Sequence, residues 1–163
     1  MEERKREALE KALNYLERQD RSCAQMTRYL ARKGYEEEVI SAAVEQLRDW
    51  GYLNDRRYAD AVVESGLERK NLSRRAVAQK LYQRGIDRDT AREALDEGGG
   101  GRTELENALW WAQKLWPRIG AEQGKEPRAQ REKLVRRLAA KGFSYDVVRQ
   151  AVESVTETDE WEE

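Results

Sequence analysis

The sequence predicts an all-α protein built from tandem repeats, and three observations support that fold class. Leu, Ala, Glu, Lys, Arg and Gln dominate the 163 residues and only two prolines occur, a composition that favours helices. Hydrophobic residues recur at helical spacing along most of the chain. The phrase LARKGYEEEVISAAV, at residues 30–44, returns twice in similar form, as LYQRGIDRDTAREAL and as LAAKGFSYDVVRQAV. A period of about fifty residues is typical of a helical array.

Each copy of this phrase centres on a glycine, which is Gly34, Gly85 or Gly142. Glycine adopts a left-handed backbone without a steric penalty and so ends the preceding helix. The basic residue before each glycine suits the negative end of the helix dipole. Apolar residues then recur on one face of a second helix. Together with the leucine that precedes each glycine, they form the predicted core: Leu30, Ile40, Ala43 and Val44; Leu81, Ala91, Ala94 and Leu95; Leu138, Val148, Ala151 and Val152.

A further helix is predicted before each phrase, at about residues 4–18, 55–67 and 104–116, because apolar residues recur there at helical spacing. Each repeat therefore contains three helices.

Side chains that cap helices mark several of the helix starts. Ser22 followed by Gln25 forms a capping-box pattern, and Ser73 stands as far before its glycine as Ser22 does. Asn54 is a suitable N-cap, and Pro127 suits a first helical turn. These signals agree with the periodicity about where the helices begin.

The three predicted three-helix repeats span residues 1–52, 53–97 and 102–157. A glycine linker at 98–101 separates the second repeat from the third, and an acidic tail at 158–163 follows the third. Four successive glycines have high backbone freedom and no side chains to pack, so the linker is interpreted as a hinge or a solvent loop.

The composition argues against an enzyme. The chain has no histidine, so it lacks the commonest general base and the commonest neutral metal ligand. Cys23 is the single cysteine, which excludes an intramolecular disulfide and fits a reducing cytoplasm. No apolar run is long enough to cross a bilayer, and the N-terminus lacks the apolar core of a signal peptide. We therefore expect a cytoplasmic, non-enzymatic protein without a cofactor or a metal site.

Two clusters of basic residues are the main candidate site. The net charge is −1, so attraction to an anionic partner must come from local clustering. Both clusters fall on the second helix of a repeat, and their twelve residues are Arg69, Lys70, Arg74, Arg75, Lys80, Arg84, Arg128, Arg131, Lys133, Arg136, Arg137 and Lys141. Such runs are often merely solvated helix faces, yet like charges close together on a helix make an anionic partner worth considering.

On the last basic helix the pattern predicts two opposite faces. Leu134, Val135, Leu138 and Ala139 are expected to be buried, and the cations Lys133, Arg136, Arg137 and Lys141 are expected to project from the other side.

A few other residues have plainer interpretations. Asp55 is expected to be a first-turn charge rather than a contact. Trp110, Trp111 and Trp116 point in different directions on one helix, so at least one should be exposed or lie at a seam between repeats.

The chain resembles the bacterial RecX family, which regulates the RecA recombinase. The matching segments are ALNYLERQDRSCAQMTRYLARKG, LNDRRYADAVV, LSRRAVAQKLYQRGI and KLVRRLAAKGFSYDVVRQAV, and they cover nearly all of the chain. The tetraglycine run and the tryptophan-rich helix lie where the family pattern varies. The resemblance implies an elongated, curved array of three-helix repeats that binds in the helical groove of the RecA filament on DNA. It also implies inhibition of filament growth, ATPase, strand exchange and coprotease activity.

Three functions remain open from the sequence. The first is a monomeric regulator, without a membrane partner, whose cations meet acidic protein surface or DNA phosphate on the RecA filament. The second is a protein that binds single- or double-stranded DNA directly, because its units resemble helix-turn-helix modules. The third is a purely structural helical adaptor.

Overall fold

The computed structural model describes residues 1–99, 102–122 and 126–161. These ranges are helical and contain no strand, which confirms the all-α fold class and the three helices of each repeat. The α-helices are α1 (Glu2–Arg18), α2 (Cys23–Arg32), α3 (Glu37–Asp49), α4 (Asp55–Val63), α5 (Arg74–Gln83), α6 (Arg88–Glu97), α7 (Glu104–Glu122), α8 (Pro127–Ala140) and α9 (Tyr145–Trp161).

The chain forms two compact units. Unit 1 contains Met1–Ala61 and Lys80–Asp96, and unit 2 contains Val62–Gln79 and Glu97–Glu163. Residues of the second predicted repeat therefore contribute to both units.

In unit 1, helices α1, α2 and α3 pack against one another around a hydrophobic core. Ala8 and Ala12 of α1 are fully buried, as are Met26 and Leu30 of α2 and Leu47 of α3. The predicted core residues Ile40 and Ala43 are buried too, whereas Val44 is only half-buried.

The predicted helix starts of unit 1 are confirmed. The Ser22 hydroxyl accepts a hydrogen bond from the Gln25 backbone N–H, and the Gln25 side chain accepts one from the Ser22 backbone N–H, which completes the capping box. The Asn54 side chain accepts a hydrogen bond from the Arg57 N–H at the start of α4.

In unit 2, helix α7 packs on α8 and α9, which also contact each other. The core includes Ala108, Ala112, Leu134, Leu138 and Ala151, all fully buried. Pro127 occupies the first turn of α8 as predicted.

Helix α7 continues beyond the predicted end at residue 116, through Pro117 to Glu122. Leu115 and Ile119 are both buried, so an apolar contact one turn further on supports the extension. The prediction stopped early because proline normally marks a helix boundary.

The predicted helix at 55–67 is divided in the structure. Helix α4 ends at Val63, and a π-helix (Glu64–Arg69) follows. Gly66 lies in this wider turn, where a Cβ would stand 2.6 Å from Cγ2 of Val77. The close approach of Val77 requires a residue without a side chain, which periodicity alone does not reveal.

The glycine linker was interpreted as lacking a packing role, and for Gly99 that interpretation is wrong. Gly99 is buried, has a φ of +87° and lies against Leu67, whose Cδ1 would stand 2.9 Å from an added Cβ. Its carbonyl accepts a hydrogen bond from the Arg102 N–H. Residues 100 and 101 of the predicted linker lie outside the described residues.

Two further expectations need correction. Ala139, predicted on the buried stripe of α8, is exposed, and Val135 is only half-buried. The stripe on α8 is narrower than a regular amphipathic pattern suggests, since Leu134 and Leu138 alone are fully buried. At the C-terminus, α9 extends to Trp161, so most of the segment predicted as a tail at 158–163 is helical.

Candidate functional site

Ten of the twelve predicted site residues lie in unit 2, and the other two, Lys80 and Arg84, lie in unit 1. The unit 2 residues belong to three segments: the end of the π-helix with the residue after it, the first turn of α5, and helix α8 with the residue after it. The structure brings the last two segments together.

A serine joins the start of α5 to the end of α8. The Ser73 hydroxyl accepts a hydrogen bond from the Ala76 N–H and donates one to the carbonyl of Lys141, at 2.8 Å. Ser73 is fully buried. The turn at Gly142 (φ +93°) lies so close that an added Cβ would stand 2.7 Å from the serine oxygen and 3.4 Å from Cβ of Arg75.

This junction places cations from both predicted clusters beside one cleft of about 400 Å³. We call it the cationic cleft. Its lining residues include two cations and no carboxylate among the described residues: Leu72, Arg75, Ala76, Gln79, Ala139, Ala140, Lys141 and Gly142. Arg75 is exposed, so its guanidinium is available to a ligand that enters the cleft.

Lys141 was predicted to project from the exposed side of α8, but its side chain is half-buried. Its ammonium lies 3.5 Å from the ring centroid of Trp111, in a cation–π contact. Burial lowers the pKa of Lys141, and the neighbouring charge of Arg137 lowers it further. An anion bound nearby would stabilise the charged form of this lysine.

Trp111 is fixed by a loop from the preceding repeat. Its indole N–H donates to the carbonyl of Asn71 at 2.8 Å, and its ring meets Trp110 edge to face. The alternative that a tryptophan lies at a seam between repeats is confirmed for Trp111. None of the three tryptophans is highly exposed, since Trp116 is also half-buried against the core of unit 2.

A polar network beneath the cleft was missed by sequence reasoning. Asn107, which is 1% exposed, donates from its side-chain amide to the carbonyls of Leu67 and Leu72. Arg102 donates to the side chains of Asn107 and Asn71. Asn71 has a φ of +56°, a conformation that asparagine tolerates better than most residues. A polar Asn107 between the apolar residues of α7 was the available signal.

The outer face of α8 carries a second, shallower concavity of about 320 Å³. It is lined by Arg128, Arg131, Glu132, Val135 and Arg136. Arg128 pairs with Glu132 at 3.4 Å, so part of this positive charge is compensated. Arg136 and Arg137 are both exposed.

The other predicted residues have more local surroundings. Arg69 is exposed and pairs with Glu64 at 3.7 Å, and Lys70 is an exposed residue at the end of the π-helix. The backbone N–H of Arg74 donates to the Glu104 carboxylate. Lys133 is half-buried, and Arg131 is exposed.

Unit 1 contains the counterpart of the serine junction. The Ser22 hydroxyl donates to the carbonyl of Arg84 at 2.6 Å, and an added Cβ on Gly85 would collide with Cβ of Ala24. The Arg84 guanidinium lies 6.0 Å from the Tyr58 ring centroid and is half-buried, as is Lys80. The Arg84 backbone therefore takes part in the junction, and its side chain lies near Tyr58.

Cys23 is poorly suited to nucleophilic chemistry. Burial raises the pKa of the Cys23 thiol to about 11, and the nearby Asp55 carboxylate contributes to the same shift. Asp55 is a first-turn charge of α4, as expected, and it also accepts a hydrogen bond from the Cys23 N–H at 2.8 Å. Within the described ranges, no group of His, Cys, Asp or Glu residues could hold a metal ion.

Comparisons with known proteins agree with the repeat structure. Models of the first, second and third three-helix domains of RecX match residues 8–47, 54–95 and 103–152. Two crystal structures of RecX superpose on the chain. That of Lactobacillus salivarius has a TM-score of 0.83 and 25% identity, over 96% of this chain and 99% of that one. The other has a TM-score of 0.81 and 24% identity, over 91% and 72% of the two chains.

Several curated relatives are named regulatory protein RecX. That of Clostridioides difficile is 29% identical over 95% of this chain and 71% of the relative. That of Thermobifida fusca is 34% identical over 87% and 77%, and that of Leptothrix cholodnii is 35% identical over 87% and 85%. Among the described helices, none is both long and apolar enough to span a membrane. With three successive domain matches and relatives at this identity, the chain belongs to the RecX family of regulatory proteins.

Proposed function

We propose that the protein is a negative regulator of the RecA recombinase, which binds the RecA–DNA filament and inhibits its extension. Lower ATPase, strand-exchange and coprotease activities follow from that inhibition. Membership of the RecX family supports a regulatory role toward RecA.

The cationic cleft of unit 2 is the observation that carries the proposal. Arg75 and Lys141 line it without a carboxylate among the described lining residues, and burial of the Lys141 ammonium favours an anionic ligand. Arg136 and Arg137 add exposed positive charge on α8. An acidic protein surface or a DNA phosphate has the matching charge, and the DNA of a RecA–DNA filament supplies phosphate.

The repeated construction suits a periodic partner. Weak contacts from linked modules combine through effective concentration, so a modest patch in each unit can give tight binding to a lattice of identical subunits. A protein that spans several subunits opposes their rearrangement during ATP hydrolysis and the addition of new ones. Inhibition is therefore expected below one regulator per RecA.

The test is ATP hydrolysis by RecA on single-stranded DNA with substoichiometric amounts of the protein. The Arg75→Glu/Arg136→Glu variant should raise the half-inhibitory concentration about tenfold or more, because two charge reversals in an interface together cost at least ~1.4 kcal/mol. Arg149→Glu is the matched control, since Arg149 is an exposed arginine of α9 that pairs with Glu153. Absence of inhibition by the wild-type protein would refute the proposed function.

Direct DNA binding is the second candidate, and the same cleft favours it. If ~5 phosphates were neutralised, the logarithm of affinity should fall with the logarithm of salt concentration at a slope of about −4 to −5. Fluorescence anisotropy with labelled single- and double-stranded oligonucleotides, in the absence of RecA, measures that slope. A flat response excludes this candidate and leaves the filament as the partner.

A further inference from the structure

An exposed aromatic pair follows α3 in unit 1. Trp50 is 53% exposed and Tyr52 is 51% exposed, and their rings meet edge to face with centroids 6.4 Å apart. Large aromatic side chains are enriched in the energetic centres of protein interfaces. About half of each side chain is therefore accessible to a partner.

The aromatic pair is held in place by the backbone. Gly51, between the two rings, adopts a φ of +84°, and the Tyr52 N–H bonds to the carbonyl of Leu47. The Arg57 guanidinium donates to the carbonyls of Gly51 and Tyr52, at 3.1 and 3.4 Å. A partner would therefore meet a preformed surface, which lowers the entropy lost on binding.

Next to the pair, unit 1 has a polar cleft of about 780 Å³. Asp49 and Leu53, which flank the aromatic turn in sequence, both line it. Its lining includes four carboxylates and two guanidiniums: Glu45, Asp49, Asp55 and Asp87, with Arg48 and Arg56.

The positive charge of Arg56 does little to neutralise the carboxylates of this cleft. Arg56 already pairs with Asp60 at 2.9 Å and with Glu93 at 3.4 Å, and both of these carboxylates lie outside the cleft. Hydrogen bonds from Thr90 lower the pKa of Asp87 and keep it ionised. This leaves Arg48 as the lining cation that can offset the carboxylates of the cleft.

We infer that Trp50 and Tyr52, together with the carboxylates Glu45, Asp49 and Asp87, form a docking surface for a lysine- or arginine-bearing segment of a partner protein. We call these five residues the acid–aromatic surface. A cationic side chain gains both ion pairing with the carboxylates and cation–π contact with the rings. DNA is disfavoured, because its phosphates would meet carboxylates of the same charge. The inference rests on the proposed function insofar as the partner is RecA.

The first experiment measures the half-inhibitory concentration for RecA ATPase on single-stranded DNA. Both Trp50→Ala/Tyr52→Ala and Glu45→Lys/Asp49→Lys should raise it about tenfold, as loss of interface hot spots does. Tyr145→Ala is the matched control, because Tyr145 is 73% exposed on α9 and belongs to unit 2. Thermal melts followed by circular dichroism check that each variant is folded.

The second experiment identifies the occupant. A photoreactive benzoylphenylalanine in place of Trp50 should cross-link to RecA peptides that contain lysine or arginine, and the same residue in place of Tyr145 should not. Cross-links from position 50 to DNA or to a second copy of this chain would overturn the inference.

The outcomes separate the inference from the proposed function. If the wild-type protein does not inhibit RecA, the proposed function fails and the partner assignment fails with it. If the wild-type protein inhibits and the acid–aromatic variants inhibit equally well, the inference alone is refuted.

Discussion

Cys23 shows how the surroundings of one side chain decide its chemistry. The thiol is half-buried at the first position of α2, and the Asp55 carboxylate lies beside it. Both surroundings disfavour a negative sulfur, so the residue stays a neutral thiol at physiological pH. The absence of histidine from the sequence already argued against an enzyme, but the effect of Asp55 on the Cys23 thiol was not predicted.

This raised pKa predicts that the free energy of unfolding falls as the pH rises above 9. The unfolded thiol ionises near its ordinary value of 9.0, and the folded thiol ionises near 11. The folded state therefore binds more protons between these values, and the contribution of Cys23 to stability is lost as pH rises toward 11. Between pH 8 and pH 10.5, the free energy of unfolding measured with urea should fall less in Cys23→Ser than in the wild type. Equal losses in the two proteins would contradict the shift.

Lys141 predicts the opposite dependence. Its folded pKa is lowered from 10.5 by burial, so the unfolded state binds more protons just below pH 10.5 and stability rises with pH there. The free energy of unfolding, measured with urea as for Cys23, should rise less over this pH range in Lys141→Gln than in the wild type. Lys114→Gln is a control, because Lys114 is an exposed lysine of α7.

At the scale of elements, the repeated helix–glycine–helix phrase was predicted well, whereas its connections were not. Periodicity and capping residues located the helices because both act within a few residues along the chain. The serine junctions depend on residues more than sixty positions apart, such as Ser22 with Arg84. No local sequence pattern predicts that one hydroxyl both caps its own helix and donates a hydrogen bond to the next repeat.

The three glycine turns should therefore differ in their tolerance of alanine. All three have positive φ, which costs an alanine ~1 kcal/mol or more. Gly34 has open space around it, whereas a Cβ on Gly85 or Gly142 would meet Ala24 or Ser73. Gly85→Ala and Gly142→Ala should each lose a further ~1 to 3 kcal/mol of unfolding free energy, as overpacked sites do. Urea unfolding of the three variants tests this order, and equal losses would argue against the junctions.

The candidate site was predicted in part. The two basic clusters were visible as charge runs, but the cationic cleft that joins α5 to α8 was not. Arg84 and Lys141 both proved half-buried, Arg84 with a tyrosine ring nearby and Lys141 against a tryptophan ring. The acid–aromatic surface was missed because Trp50 and Tyr52 do not interrupt any pattern in the sequence. Exposure is a property of packing, and composition does not reveal it.

At the scale of the whole molecule, two surfaces of opposite charge lie in separate units. The cationic cleft belongs to unit 2, and the acid–aromatic surface belongs to unit 1. Under the proposed function, the two surfaces would meet partner groups of opposite charge to each other. The net charge of −1 conceals this division.

Combining the two sets of substitutions should reveal whether both surfaces bind at once. Losses in binding free energy at independent sites add, so the fold-losses in affinity for the RecA filament should multiply, to about a hundredfold if each is tenfold. Filament binding of Arg75→Glu/Arg136→Glu/Trp50→Ala/Tyr52→Ala, measured by anisotropy of the labelled protein, tests this. A combined loss no larger than either single loss would mean that only one surface touches the filament in a given complex.

Both serine hydroxyls bond to a main-chain carbonyl, at Arg84 and at Lys141, and that choice of acceptor has an evolutionary consequence. Every amino acid supplies the same carbonyl, so the linkage between repeats makes no hydrogen-bonding demand on the side chain before the glycine. Mutation can then alter the charge of that side chain while the hydroxyl keeps its partner. Substitution at these positions can therefore change the charge that the protein presents and leave the hydrogen bond between its repeats in place.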